Sequence, residues 1–358
     1  MMADRTSGRP PLRVAVAGVG SFSQRVLIPG LVQCPEAEVV ALFGPTPAKT
    51  QQIAAQHGIP RVFSEYEPML DEAGAEAVVV ATPNDVHHPM TMAALRRGLA
   101  VFSEKPLGTT LEQAEEMAAA ARAAGVPTAV NFTYRSTNGT RHVEHLLRQG
   151  RIGELFHFSI TFWQNIRADP SVPLGYRMLR ERGGGALLDI GVHMIDLLRW
   201  WFGELDAVCG VIRTAIPERP TPEGGRGAVT ADDTASFVVR LASGVAGTVQ
   251  VSQVAIGRQN YRRFEAFGSE GSVAMEEDRT FGPEVRLAGA GETAFTVQPI
   301  PDELNVAFDD FPRFHLSRVV AALRGDPGDW PTFEDGLVAQ RAVAAVEMSL
   351  QSGRWVSV

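Results

Sequence analysis

Val14-Ala15-Val16-Ala17-Gly18-Val19-Gly20-Ser21-Phe22-Ser23 sets four small apolar residues before two glycines one residue apart, with Ser23 at the third position of the same spacing. An apolar run ending in such a turn reads as a buried strand that feeds a helix. Glycines serve there because the chain bends sharply and because a pyrophosphate needs close approach to backbone N–H groups at a helix start. Taken alone, Gly-x-Gly also fits any tight strand-to-helix turn.

Outward from this turn the pattern repeats. Residues 12–17, 39–43, 77–81 and 100–103 read as strands, and 23–33, 47–57 and 88–98 as helices between them. The runs Ala-Val-Val-Val-Ala-Thr from Ala77 and Val-Val-Ala-Leu-Phe from Val39 are nearly continuous, as strands buried on both faces are. The fold class expected is α/β, with a doubly wound parallel sheet over residues 11–130 that closes after the Ala-rich helix 111–124.

The pattern changes near Asn131. One more helix, 139–149, precedes strands at 156–164, 207–215, 234–241, 245–254, 262–267 and 272–276, with hairpin signals at Ser243-Gly244 and Gly268-Ser269-Glu270-Gly271. A second domain over 131–358 should therefore be α+β, built on an open, mostly antiparallel sheet and finished by a helix at 334–351 that Gly353 caps. The stretch 217–228, rich in Pro, Gly, Arg and Glu, reads as an exposed mobile loop, with a substrate lid as the alternative.

A length of 358 residues suits two domains, and 45% hydrophobic with 21% charged residues suits a globular chain. The net charge of −8 comes without any Lys/Arg run, which argues against nucleic acid. Cys34 and Cys209 stand far apart in apolar settings and read as buried free thiols, a usage that fits a reducing cytoplasm. Residues 1–11 are polar, without the apolar core of a signal peptide, and no apolar run is long enough to span a membrane, so a frayed arm and a cytoplasmic protein are expected.

An Asp or Glu about 20 residues past the glycines commonly holds a ribose 2′-hydroxyl. Here that position reads Phe43-Gly44-Pro45-Thr46, so NADP is slightly favoured over NAD, with Thr46 and Lys49 as partners for a 2′-phosphate. The other reading makes Thr46 and Lys49 ordinary turn and surface residues.

Three further segments carry chemistry. Ala81-Thr82-Pro83-Asn84-Asp85-Val86-His87-His88 and Ser103-Glu104-Lys105-Pro106-Leu107-Gly108 both follow apolar strands, at the sheet edge where open α/β folds bind ligands. The third, Gly183-Gly184-Gly185, leads through Asp189 to His193 and Asp196 on a helix, with Asp189 and His193 at i and i+4. A histidine can take or give a proton near neutral pH, and a lysine can steady a developing negative charge. The plainer alternatives are a lysine that ends a strand and an Asp-His pair on a helix surface. His87-His88 suggests a metal, but no Cys or carboxylate ligand stands at suitable spacing.

The glycine turn, the Glu-Lys-Pro triplet, the Gly-Gly-Gly run leading to Asp-x-Gly-x-His, and Glu334-Asp335-Gly336 together resemble the glucose–fructose oxidoreductase and inositol dehydrogenase (Gfo/Idh/MocA) family over nearly the whole chain. The resemblance implies a Rossmann domain and a hydride transfer between NAD or NADP and a secondary hydroxyl or ketone of a sugar, inositol or related polyol. It implies that Lys105, Asp189 and His193 converge above the nicotinamide, His193 moving the proton of the reacting hydroxyl, Lys105 steadying charge on its oxygen and Asp189 either orienting the substrate or tuning its two neighbours. Cofactor contacts carry over to Gly18, Gly20, Ser21, Phe22, Ser23, Thr82, Pro83, Asn84, Glu104 and Lys105, and with less support to His87. Substrate contacts fall on Asn131, Tyr134, Arg135, Tyr176 and Arg177, although Tyr176 stands where the family leads one to expect Trp. Met178, Trp200, Trp201 and Phe202 read as packing. A homodimer or homotetramer through the second sheet follows by analogy. Rival readings are a relative that cleaves glycosides with a tightly held NAD and a non-catalytic nucleotide-sensing regulator.

Overall fold

The computed structural model describes residues 9–358, so the polar arm expected at the start lies, over residues 1–8, outside the described residues. The chain divides into two compact units: 9–108, 112–131 and 307–336 form the first, and 109–111, 132–306 and 337–358 form the second.

The first unit is a six-stranded parallel sheet of β1 (Leu12–Ala17), β2 (Ala37–Phe43), β3 (Arg61–Phe63), β4 (Ala77–Val80), β5 (Ala100–Ser103) and β6 (Thr128–Val130), in the order β3-β2-β1-β4-β5-β6. Every residue of β4 and β5 is buried, as two covered faces require. The strand order reverses between β1 and β4, which opens a crevice at their carboxyl ends. β3 and the helix Tyr66–Glu72 escaped the sequence reading, since three and seven residues are too few to show a period.

The expected single boundary at 130/131 is corrected by the return of residues 307–336 to this unit. The helix Phe311–Leu323 lays Leu316, Val319, Val320 and Leu323 against Ile28 and Leu31. Gly30 permits the approach, because a Cβ there would come within 2.5 Å of the Pro312 carbonyl oxygen.

The second unit is built on nine strands: β7 (Leu155–Trp163), β8 (Leu205–Arg213), β11 (Thr234–Leu241), β12 (Ala246–Ser252), β13 (Tyr261–Gly268), β14 (Gly271–Asp278), β15 (Phe281–Gly289), β16 (Thr296–Gln298) and β17 (Val356–Ser357). The small hairpin β9 (Glu218–Pro220) with β10 (Arg226–Ala228) stands apart from them. All nine pair antiparallel except β7 with β12. Alternation in β12 buries Gly247, Val249 and Val251 while their neighbours face outward, so one face of the sheet holds the core.

Residues 217–228 are no loose loop. Arg219 is 1% exposed and donates to the backbone carbonyls of Asp169, at 2.6 Å, and Arg167, while Leu174 N–H donates to Pro220 O at 2.8 Å. A buried arginine and main-chain bonds hold this hairpin instead of apolar periodicity, which is why its sequence reads as loop. Cys34 is buried as expected, but Cys209 is half-buried.

Gly18 has φ +108°, and a Cβ there would sit 2.2 Å from Ala81 O, whereas a Cβ on Gly20 meets nothing within 4 Å. Gly18→Ala should therefore lose at least about 2 kcal/mol in denaturant unfolding from backbone strain and clash. Gly20→Ala should unfold like the wild type, and equal losses in both would show that the turn does not control packing.

Candidate active site

In the first unit the glycine turn closes on the sheet through Gly18 N–H, which donates to Phe43 O at 2.9 Å. Beyond it Gly20 and Ser21 are exposed, Phe22 is half-buried, and Ser23 is buried where a π-helical turn, Ser23–Leu27, begins. The backbone is thus fixed on its inner side and open on its outer side at the strand-order reversal, a cradle that fits a dinucleotide pyrophosphate. Thr46 and Lys49 are both exposed around the start of the helix Pro47–His57 that follows β2.

After β4, Thr82, Pro83 and Asn84 form a turn in which Asn84 is 6% exposed. His87 is fully buried, with Nδ1 2.8 Å from Pro106 O and Nε2 2.9 Å from Thr82 O. Burial holds its pKa below the ordinary value. Expected at the cofactor, His87 ties the Thr-Pro-Asn turn to the Glu-Lys-Pro loop, in which the Lys105–Pro106 peptide is cis and Lys105 is half-buried. His88 pairs separately with Glu116 at 2.7 Å. Among the described residues no group of three or more His, Cys, Asp or Glu side chains is placed to hold a metal ion.

Glu104 accepts a hydrogen bond from Asn131 Nδ2 at 2.5 Å, and Asn131 Oδ1 lies 2.9 Å from His315 Nε2. Burial drives the His315 pKa down to about 3, so its imidazole is neutral and the tautomer that fits carries its proton on Nε2. Asn131, expected at the substrate, is thereby engaged inside the protein as a link between His315 and Glu104. Surface clefts of about 420 and 410 Å³ also lie in this unit. The first is lined by Leu12, Glu76 and Ala100, at the amino ends of the strands and away from the glycine turn.

In the second unit the three glycines allow a tight fold-back before the helix. A Cβ on Gly184 would lie 2.4 Å from Arg177 O, and one on Gly185, at φ +117°, 2.2 Å from Asp232 Oδ1. Asp232 Oδ2 accepts Leu187 N–H at 2.8 Å, and the chain runs through a π turn, Leu187–Gly191, into the α-helix Val192–Phe202. Asp189 is therefore on the π turn and His193 on the α-helix, so the simple i, i+4 face spans a change of helix type.

Asp189 is 8% exposed and accepts Gln253 Nε2 at 2.7 Å, with Arg167 3.9 Å away. His193 is 6% exposed and meets the edges of Phe132 at 5.8 Å and Tyr134 at 4.7 Å between ring centroids. Behind Tyr134 the Arg262 guanidinium lies 3.7 Å from its ring centroid and pairs with Glu277. Burial raises the Tyr134 pKa and keeps the phenol neutral. Tyr134, expected at the substrate, is thus also the wall that fixes the imidazole.

Arg135 departs from its expected place at the substrate. It forms a buried fork with Asp196, at 2.9 and 2.5 Å. Tyr176 is half-buried and Arg177 exposed, its guanidinium 5.4 Å from the Tyr176 ring. Met178 is buried and Trp201 packs on Phe264 at 4.4 Å, in keeping with packing roles. Gln253, Arg167 and Asp232 escaped the sequence reading. Only Asp232-Asp233, two acids opening an apolar strand, left a signal there.

Comparison with known proteins agrees with both units. Residues 12–132 match the family model described as oxidoreductase family, NAD-binding Rossmann fold, and residues 140–274 match the GFO/IDH/MocA C-terminal domain. The chain is 30% identical to levoglucosan dehydrogenase from Pseudarthrobacter phenanthrenivorans over 90% of each chain. The crystal structure of an NAD-binding oxidoreductase from Klebsiella pneumoniae superposes with a TM-score of 0.90 at 27% identity, covering 97% of this chain and 99% of that one. A levoglucosan dehydrogenase in complex with NADH and levoglucosan gives 0.88 at 28%, covering 97% and 99%. No helix among the described residues is long and apolar enough to cross a membrane.

Burial raises the Asp232 carboxyl from 3.8 to about 6. The folded protein thus keeps a proton that the unfolded chain has released, so this contribution to stability is complete below pH about 4 and is lost as pH rises through about 6. Asp232→Asn keeps an acceptor for Leu187 N–H and removes the buried charge. Its unfolding free energy should match the wild type at pH about 4 and exceed it above pH about 6 by up to about 3 kcal/mol. A difference that does not vary with pH would refute this account.

Proposed function

Because the chain belongs to the Gfo/Idh/MocA family of NAD-binding oxidoreductases, we propose that it transfers a hydride between a nicotinamide dinucleotide and a secondary hydroxyl or ketone of a sugar, inositol or related polyol. The observation that carries this reading is the pair on one short helical segment: His193 held between Phe132 and Tyr134, and Asp189 held by Gln253. The sugar named for the levoglucosan dehydrogenase relatives supports the substrate class.

The dinucleotide, when bound, gives or accepts the hydride. Gly18, Gly20, Ser21, Phe22 and Ser23 would hold its pyrophosphate, and Thr82, Pro83 and Asn84 would hold its nicotinamide side. Loss of a hydride from an alcohol carbon must be matched by loss of the hydroxyl proton, which His193 takes. In the reverse direction His193 returns it. Lys105 places positive charge where an alkoxide develops, and Glu104, itself fixed by Asn131, orders the backbone that presents Lys105. Asp189 accepts a neighbouring substrate hydroxyl and so sets which carbon faces the imidazole.

Exposed Thr46 and Lys49, with no carboxylate at the end of β2, favour NADPH slightly over NADH. The absence of any cysteine pairing among the described residues suits the cytoplasm. The outward face of the nine-stranded sheet, which carries Phe156 and Val211 at 59% exposure, suits a homo-oligomer.

Lys105→Ala and His193→Ala should each abolish turnover of a polyol while calorimetry shows dinucleotide affinity largely intact. Near-wild-type turnover in either variant removes that residue from the reaction. Titration of cofactor-stripped protein should give tighter binding of NADPH than NADH, and the reverse order discards the role of Thr46 and Lys49.

A further inference from the structure

Arg167 is enclosed, yet its guanidinium has no hydrogen-bond acceptor within the protein among the described residues. Its side chain is 6% exposed, and Asp189 Oδ2, at 3.9 Å, is within ion-pair range but too far to accept a hydrogen bond. A guanidinium with this little water around it and no protein acceptor gains when another group supplies oxygens to its N–H donors. Burial is also the main cause that lowers its pKa, ahead of the opposing pull of Asp189.

The residue is nevertheless fixed in place. Its N–H donates to Gln253 O at 2.9 Å, and its carbonyl accepts from Arg219, the buried arginine of the β9–β10 hairpin. Gln253 is fully buried and, by its side-chain amide, also holds Asp189. Arg167 and Asp189 are therefore registered to one residue, so that a donor fork and an acceptor carboxylate stand side by side.

We propose that Arg167 is a specificity-determining residue that donates hydrogen bonds to a substrate oxygen next to the hydroxyl received by Asp189, so that the site selects a neutral vicinal diol or its α-hydroxy ketone. Two oxygens on adjacent carbons match an adjacent donor and acceptor. A carboxylate ligand does not, because it would bring a second negative charge beside Asp189. The β9–β10 hairpin supports this arrangement from behind, since Arg219 holds the Arg167 backbone.

This inference rests on the polyol-oxidising reading above, and the test separates the two. Wild type, Arg167→Gln and Arg167→Lys are assayed with a neutral polyol, its monodeoxy analogues and the corresponding uronic acid, beside NADH titration of each protein. Arg167→Gln should raise KM about 10- to 100-fold, as expected when a hydrogen bond to a charged group is lost. NADH affinity should stay unchanged. For one monodeoxy analogue, the one lacking the oxygen that Arg167 serves, the penalty should disappear. Arg167→Lys, which keeps the buried charge, should fall between, and carries the test should Arg167→Gln lose cooperative unfolding. An equal penalty on every analogue would show a merely structural residue and overturn the inference, as would unchanged KM or a wild-type preference for the uronic acid. Turnover of no polyol by the wild type would overturn the polyol reading and this one together, whereas active wild type with indifferent Arg167 variants overturns only this one.

Discussion

A parallel sheet has no face it can leave wet, and the first unit is arranged around that constraint. β4 and β5 are buried at every residue, so apolar cover must lie on both sides. The local helices supply much of it, but the surface presented by Ile28 and Leu31 is closed by a helix nearly 300 residues later in the chain. The contact between Gly30 and Pro312 is tight enough that no side chain fits there. With the sheet closed, the turns after β1, β4 and β5 have rigid strands behind them, and the open outer edge of the glycine turn becomes a defined surface.

In the second unit the governing cost is buried charge. Asp196 is met by the Arg135 fork, Asp233 by the backbone N–H groups of Ala215 and Ile216, and Asp232 by Leu187 N–H. These donors replace water with fixed dipoles, which holds carboxylates in place at low dielectric. Asp189 receives the side-chain amide of Gln253 at 2.7 Å, with the Arg167 guanidinium 3.9 Å away.

Much of the fold was legible because it rests on runs long enough to show a period. The helix Pro47–His57, the strands Leu12–Ala17 and Thr234–Leu241 and the helix Leu111–Ala124 follow the boundaries read from sequence. What escaped includes short elements such as β3, the β9–β10 hairpin held by polar contacts on Arg219, and two longer elements, β15 and the helix Phe311–Leu323. The site divides in the same way. Asp189 and His193 stood in a motif, but Gln253, Arg167 and Asp232 act through contacts made across the fold. Asn131 and Arg135 carried the right residue types for sugar binding and were found engaged by Glu104 with His315 and by Asp196. Residue type names what a side chain can do, and only packing decides what it faces.

The late arrival of the helix Phe311–Leu323 also matters for how the chain is made. A ribosome adds roughly 5–20 residues per second, so this helix follows β6 by about 10–40 s. Through that interval all six strands of the first unit exist without their last cover, and Ile28 and Leu31 face solvent or whatever holds nascent chains. The unit that begins first in synthesis is therefore completed near the end, after the nine-stranded sheet has nearly all emerged. Early termination anywhere before residue 311 leaves an apolar face bare, and such truncated products are natural clients for chaperones and proteases.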